Sequence, residues 1–297
     1  MLHVDVYYKI FTKQGMKVVC FGKNLITICY MASLDKIALV TGAASGIGWA
    51  IACLLHDEGL HVVICDNSKD NLDLANIKIN EENYQNMSSF HADVSLEADV
   101  VKLFNHIKKT FGRLDYLVNN AGIDSFCDPE TFSTSKYNHV MAVNVTSVFL
   151  AIREAIPLMR NSKEASIVNI GSIHGQLTTA GRSDYVASKA ALVGATQSLS
   201  LDLASEKIRI NMVSPGAIDT PMLLRGWKRK APNIDLNEVR NRANSIHPCG
   251  RIGQPEDIAN AVFFLLSEKA SFINGVNLNV DGGIHSKVFL STIWDKQ

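Results

Sequence analysis

The chain has 297 residues, 47% of them hydrophobic, enough to bury one large core or two modest ones. Lys plus Arg and Asp plus Glu number 29 each, so the overall charge offers no electrostatic reason to expect nucleic acid or an anionic membrane as the main partner. The six cysteines, Cys20, Cys29, Cys53, Cys65, Cys127 and Cys249, include no C-x-x-C pair and do not cluster with the nine histidines; this argues against a metal knot or disulfide framework and for a reducing, cytoplasmic setting.

Residues 1–30 contain neither Arg nor Ser, unlike a transit peptide, and their longest apolar patch, LITICYMA, is broken by Thr27 and weak as a signal-peptide core. Met31 opens MASLDKIALVTG immediately before the first β-rich run, so residues 1–31 read as an extension and 32–297 as one domain. No apolar run approaches the roughly 20 residues that span a bilayer. From residue 36 onward, β-rich runs alternate with helical stretches: KIALVTG (36–42), HVVICD (61–66), SSFHAD (88–93), LDYLVNN (114–120), SIVNIGS (166–172), IRINMVS (208–214) and GVNLNV (275–280). Several are apolar throughout, as strands buried on both faces must be, which predicts an α/β fold with a doubly wound parallel sheet covered by helices on both sides.

The first run leads into TGAASGIG, Thr41 to Gly48, and then into a helical stretch. Glycines at 42, 46 and 48 let the backbone turn sharply and approach a ligand, and the N-terminus of the following helix favours a pyrophosphate. A glycine-rich turn is a weak signal alone, but here the required strand and helix flank it. The second run ends in Asp66, eighteen residues past Gly48, where dinucleotide-binding folds place an acid against the adenosine ribose. A carboxylate accepts from the ribose hydroxyls and repels a 2′-phosphate, so it selects NAD over NADP. Asp66, Asn67 or Ser68 could equally cap the helix that follows, and both roles are compatible.

Tyr185 and Lys189 lie four residues apart in SDYVASKAALVG and so share one helical face. A phenol titrates near pH 10, and a neighbouring ammonium is expected to lower that value and make the tyrosine a usable base. Ser172, at the carboxyl end of the fifth run, can donate to a substrate carbonyl oxygen and hold it against the Tyr185 hydroxyl.

Together TGAASGIG, NNAG (119–122), Asn144, Ser172, YVASK and SPGAIDT resemble the short-chain dehydrogenase/reductase family, in order from about residue 35 to about residue 283. The resemblance implies a seven-stranded Rossmann-like sheet, a nicotinamide cofactor and a tetrad of Asn144, Ser172, Tyr185 and Lys189. In that scheme Tyr185 exchanges the proton, Ser172 orients the substrate oxygen, Lys189 binds the nicotinamide ribose, and Asn144 holds a water linking Lys189 to solvent. The resemblance also places Ser45 and Ile47 with the glycines around the phosphates, and Asp93 and Val94 near adenine. Asn120, Ala121 and Gly122 then lie beneath the cofactor, with Pro215, Gly216, Ile218 and Thr220 around the nicotinamide. It further implies a homotetramer built on the helices carrying Asn144 and Tyr185.

Residues 222–250 are expected to form a substrate lid, with Met222, Leu223, Leu224 and Trp227 available either to cover a substrate or to pack a core. The basic residues Arg225, Lys228, Arg229 and Lys230 fit a solvated face or an anion attractor. His174 and Arg182 flank the reacting centre in GSIHGQLTTAGRSDY, and the S-x-H-G pattern is similar to that of 3-hydroxybutyrate dehydrogenases. Arg182 is then a candidate grip for a substrate carboxylate, though Asp124 departs from that subgroup by adding a negative charge nearby. The reading is hydride transfer between NAD and a secondary alcohol or hydroxy acid, a small molecule, with no metal. The alternatives are an NADPH-dependent 3-oxoacyl carrier-protein reductase and a non-catalytic NAD-binding regulator. The apolar residues Val288, Phe289, Leu290, Ile293 and Trp294 beyond the last strand suggest a tail that docks on a neighbouring subunit.

Overall fold

A computed structural model of the chain describes residues 36–287 together with two short strands nearer the N-terminus. These two, β1 (Val19–Phe21) and β2 (Asn24–Ile26), pair antiparallel. The rest of the segment read as an extension, Met31 included, and the apolar residues 288–294 lie outside the described residues.

All seven expected sheet strands form. They are β3 (Ile37–Thr41), β4 (His61–Asp66), β5 (Met87–His91), β6 (Tyr116–Asn119), β7 (Ser166–Ile170), β8 (Arg209–Pro215) and β9 (Asn277–Val280). They build one parallel sheet in the order β5-β4-β3-β6-β7-β8-β9. Because strand side chains alternate, Ala38 and Val40 of β3 enter one apolar layer while Ile37 and Leu39 enter the other. Two buried faces require two sets of apolar residues, hence the unbroken apolar runs.

One layer packs under α1 (Gly46–Asp57), α2 (Lys69–Glu81) and α9 (Pro255–Leu266), the last two represented by residues such as Leu72 and Val262. The other packs under α3 (Glu97–Phe111), α5 (Ser147–Met159) and α6 (Ser183–Asp202). Between α3 and α5 lies α4 (Thr134–Met141), which continues through a π-helical segment, Ala142–Thr146, directly into α5. This continuous Thr134–Met159 element is long and apolar enough to cross a membrane by length and composition, which corrects the expectation that no run comes near that length. Its apolar face is already used: Val148, Ile152, Ala155 and Met159 are buried in the core layer beneath it.

The stretch after β8 is helical, as the solvated-face reading of its basic run allowed: α7 (Pro221–Lys230) and α8 (Leu236–Ile246) occupy most of it. Thr220 caps α7 by accepting from Leu223 N at 3.3 Å, with Pro221 in the first turn. Asp235 caps α8 by accepting from Asn237 N at 2.8 Å, and the Arg240 guanidinium pairs with Asp219 at 2.8 Å, tying α8 to the end of β8.

The amino ends of the central strands, opposite the glycine turn, are pinned by Asp115, which is buried and accepts from Ile37 N at 2.7 Å and from the Arg113 guanidinium at 3.2 Å. Asp115→Ala leaves those donors without their carboxylate in a closed environment. The expected loss is about 2–3 kcal/mol of unfolding free energy in a urea titration, with the fold retained.

Candidate active site

At the carboxyl ends of the strands lies a cavity of about 800 Å³ that runs from the glycine turn to α7 and α8. The strand order steps outward in both directions from β3 and β6, so the crevice opens at this switch point. The backbones there are nearly in contact. A Cβ on Gly42, whose φ is +61°, would stand 2.7 Å from Ala121 Cα, and one on Gly48 would stand 2.5 Å from Gly42 O. Both positions therefore require glycine.

Thr41, which the sequence reading did not single out, holds this seam. Its hydroxyl accepts from Asn120 N and Ala121 N, each at 3.1 Å, while the Asn120 amide donates to the carbonyls of Thr41 and Gly42 at 2.8 Å. Asn120 is therefore a strut for the glycine turn. Its position just after a strand and opposite a Thr-Gly turn was visible, but the pairing of β3 with β6 across 77 or more residues was not.

The Asp66 carboxylate sits under the same turn, accepting from Ala44 N at 3.2 Å and from Ser68 N at 3.0 Å. Ser68, not Asp66, caps α2, accepting from Asn71 N at 3.3 Å. Of the two roles open for Asp66, the cap falls to its neighbour and the acid is left facing the cavity. Asn67, Ser68, Asn71, Asp93 and Val94 line this end, without a Lys or Arg. Pro215 ends β8, and a Cβ on Gly216 would stand 2.9 Å from Asp281 Cα. Ile218 and Thr220 complete the wall beside Gly46.

Ser172, Tyr185 and Lys189 meet as expected, and all three line the cavity. Ser172 sits at the start of a short 3-10 turn, Ile173–Gly175, where its hydroxyl accepts from His174 N at 3.1 Å. Asp184 fixes the start of α6: buried, it accepts from Ser125 Oγ at 2.5 Å and from Tyr185 N at 2.8 Å. The Lys189 ammonium donates to Ile170 O at 3.0 Å and lies 5.8 Å from the Tyr185 ring centroid.

The electrostatics differ from expectation. Burial raises the Tyr185 phenol above its ordinary value; the neighbouring Ser172 hydroxyl and the Arg182 charge oppose this, and Asp124 adds to it. The predicted acidification by Lys189 is therefore not the governing effect in the protein alone. Burial pulls Lys189 itself down to about 8, because few groups offset its desolvation.

Asn144 is the tetrad member that does not reach the cavity wall. It is 1% exposed within the π-helical segment, donating to Ile123 O and Ser188 Oγ at 3.0 Å and accepting from Ile123 N at 2.8 Å. Its contacts lock the loop after β6 to α6. The π-helical segment gave no sequence signal, since one extra residue per turn leaves the apolar pattern readable as plain helix. His174 has its ring 6.0 Å from that of Tyr185, edge-on, and burial, followed by the charge of Arg182, lowers its pKa.

Residues 42–285 match a protein-family model described as enoyl-(acyl carrier protein) reductase. The 3-oxoacyl-[acyl-carrier-protein] reductase of Thermotoga maritima is 35% identical over 84% of this chain and 97% of its own. The levodione reductase of Leifsonia aquatica is 33% identical over 84% of this chain and 94% of its own. The chain belongs to the short-chain dehydrogenase/reductase family. Among solved structures, a variant actinorhodin polyketide ketoreductase with NADPH superposes with a TM-score of 0.82 at 31% identity, covering 86% of this chain and all of that one. Family membership makes the protein an oxidoreductase that transfers hydride at an alcohol or ketone carbon.

The buried lysine gives a test of the site. A folded-state pKa below the ordinary lysine value means that folding carries a penalty, fully present below about pH 8, that fades as pH rises toward that ordinary value. Lys189→Met is expected to lose turnover yet gain about 1–2 kcal/mol of stability at pH 7, the gain shrinking above pH 8. Thermal unfolding at a series of pH values measures it; a less stable variant at pH 7 would contradict the assignment.

Proposed function

We propose that this chain is an NAD-dependent dehydrogenase acting on a secondary alcohol or the matching ketone, with hydroxy acids as the substrate class. The observation that carries this reading is that Ser172, Tyr185 and Lys189 line one cavity, with Lys189 5.8 Å from the Tyr185 ring, together with a glycine turn that leaves room for backbone approach. The residues present fit a dinucleotide: Gly42, Ser45, Gly46, Ile47 and Gly48 at the phosphates, and Asp66, Asp93 and Val94 at the adenosine. Asn120, Ala121, Gly122, Pro215, Gly216, Ile218 and Thr220 surround the remaining half. When bound, NAD supplies the hydride acceptor and, oxidised, a positive ring.

The protein's own work is orientation and proton handling. Ser172 donates to the substrate oxygen and sets its distance from the Tyr185 hydroxyl. Tyr185 takes the proton from the alcohol, or returns it to the forming alkoxide. Lys189 orients the cofactor ribose, and its charge favours phenolate once a hydroxyl group replaces part of its lost solvation. Asn144 acts as a positioning residue, holding α6 against the loop that carries Gly122. Residues 222–250, now seen as α7 and α8, cover the substrate.

Asp66 supports NAD. The NADPH in the actinorhodin ketoreductase structure favours the alternative, a reductase of the 3-oxoacyl type. What weighs for NAD is that the cavity wall around Asp66 offers two carboxylates, Asp66 and Asp93, and no cation to a 2′-phosphate.

We also place the protein in a reducing, cytoplasmic compartment, which suits the free Cys53, Cys65, Cys127 and Cys249. A homotetramer is favoured by the exposed faces of α5 and α6, where Phe149 and Leu201 stand 46% and 79% exposed beside the small residues Ala187, Ala190 and Gly194. Sedimentation velocity at micromolar concentration is expected to give the four-chain mass.

Tyr185→Phe is expected to lower kcat by at least about 100-fold while NADH binding, read by fluorescence, changes little; retained turnover would refute the mechanism. Wild type is expected to turn over with NADH at a kcat/KM at least ~10-fold above that with NADPH, and Asp66→Ser to narrow the ratio by a similar factor. Cofactor binding with no turnover on any alcohol would instead favour a regulator.

A further inference from the structure

The mouth of the cavity gathers more positive charge than the proposed chemistry uses. Three cations converge on the ring of Phe126: the Arg182 guanidinium carbon lies 4.3 Å from its centroid, that of Arg229 5.0 Å, and the Lys230 ammonium 5.1 Å. They come from different elements, Arg182 from the start of α6 and the other two from the end of α7. All three line the cavity. Arg182 also stands 5.9 Å from the Tyr185 ring, within reach of the same small molecule.

One carboxylate answers them. Asp124 lies 3.9 Å from Arg182 Nη1 and 3.6 Å from Arg229 Nη2, and a Cβ on Gly226 would stand 3.4 Å from its Oδ2, so α7 is seated directly over it. Those separations exceed the roughly 2.7–2.9 Å of a direct charge-assisted hydrogen bond. The guanidinium groups are therefore attracted to Asp124 without being saturated by it, and among the described residues no other carboxylate pairs with Arg182, Arg229 or Lys230, so positive charge is in excess here. The same field reaches the reacting centre, where Arg182 and Lys230 add to the burial that disfavours protonation of His174.

We propose that Arg182, Arg229 and Lys230, gathered around the ring of Phe126, form a subsite for the negative charges of a dianionic substrate, with Asp124 as a weak internal counter-ion that competes with the substrate's oxyanions. The substrate class is then a short oxo or hydroxy compound carrying two negative charges, such as a dicarboxylate or a phosphate ester. This deepens the dehydrogenase reading and rests on it for the orientation of the substrate's other end.

The test separates the two. Glutarate, which cannot be reduced, is titrated against the NAD-loaded protein with thermal unfolding as the readout. Wild type is expected to be stabilised in a concentration-dependent way, Arg229→Met/Lys230→Met to bind at least about tenfold more weakly, and Asp124→Asn about tenfold more tightly. The gain in Asp124→Asn is the discriminating result, since a merely damaged α7 cannot produce it. No stabilisation of wild type, equal stabilisation of the double variant, or no tightening in Asp124→Asn overturns the subsite. In parallel, 3-oxoglutarate is expected to be reduced with a kcat/KM at least tenfold above that of uncharged ethyl acetoacetate; turnover of both with no such preference also overturns it. Failure to oxidise NADH with either ketone, beside a positive glutarate result, would count against the dehydrogenase reading alone.

Discussion

The backbones at the ends of β3 and β6 approach so closely that no side chain fits between them, and the rest of the site is arranged around that contact. Gly42 meets Ala121, Gly48 meets the carbonyl of Gly42, and Thr41 and Asn120 stitch the two strands by four hydrogen bonds. Polar groups at this depth must be satisfied, and here they are satisfied by one another. The turn into α1 is thereby held in place without Thr41 or Asn120 engaging the N-terminal amides of α1, the groups that a phosphate would need.

A second constraint is electrostatic. The fold buries a lysine four residues from a tyrosine and gives the ammonium a backbone carbonyl, Ile170 O, but no carboxylate. Both groups are shifted by desolvation toward their neutral forms, the phenol upward and the ammonium downward. Such a pair is poised rather than settled: a modest change in local charge or solvation alters which member holds the proton. Stability is given up to keep the cation there, as expected where a site is built for chemistry.

The cavity is also sorted by charge along its length. The end beside β4 is lined by Asp66 and Asp93 without a Lys or Arg, the outer end by Arg182, Arg225, Arg229 and Lys230 with the single carboxylate Asp124 among them. The net charge of the chain is zero, so this asymmetry is invisible to composition. It arises because α7 turns back over the loop after β6, bringing residues about one hundred positions apart onto the ring of Phe126.

The sheet was legible because its central strands had to be apolar on both faces and alternated regularly with helical stretches, a pattern read within windows of a few residues. The glycine turn was legible because positive φ and close approach leave glycine without a substitute, and the Tyr185–Lys189 pair because four residues make a helical turn. The continuity of the Thr134–Met159 element was not legible, since its joining π segment carries no periodic signature.

Sequence alone thus determined the seven sheet strands, their order along the chain, and which residues stand at the strand ends. Only the tertiary structure decided that Ser68 rather than Asp66 caps α2, that Asn144 props the site from behind, that burial outweighs the lysine at Tyr185, and that three cations share one aromatic ring. The physical reason is one of range. Propensity and periodicity act over a single turn or strand, whereas desolvation and charge depend on neighbours that the chain brings together only after it has folded.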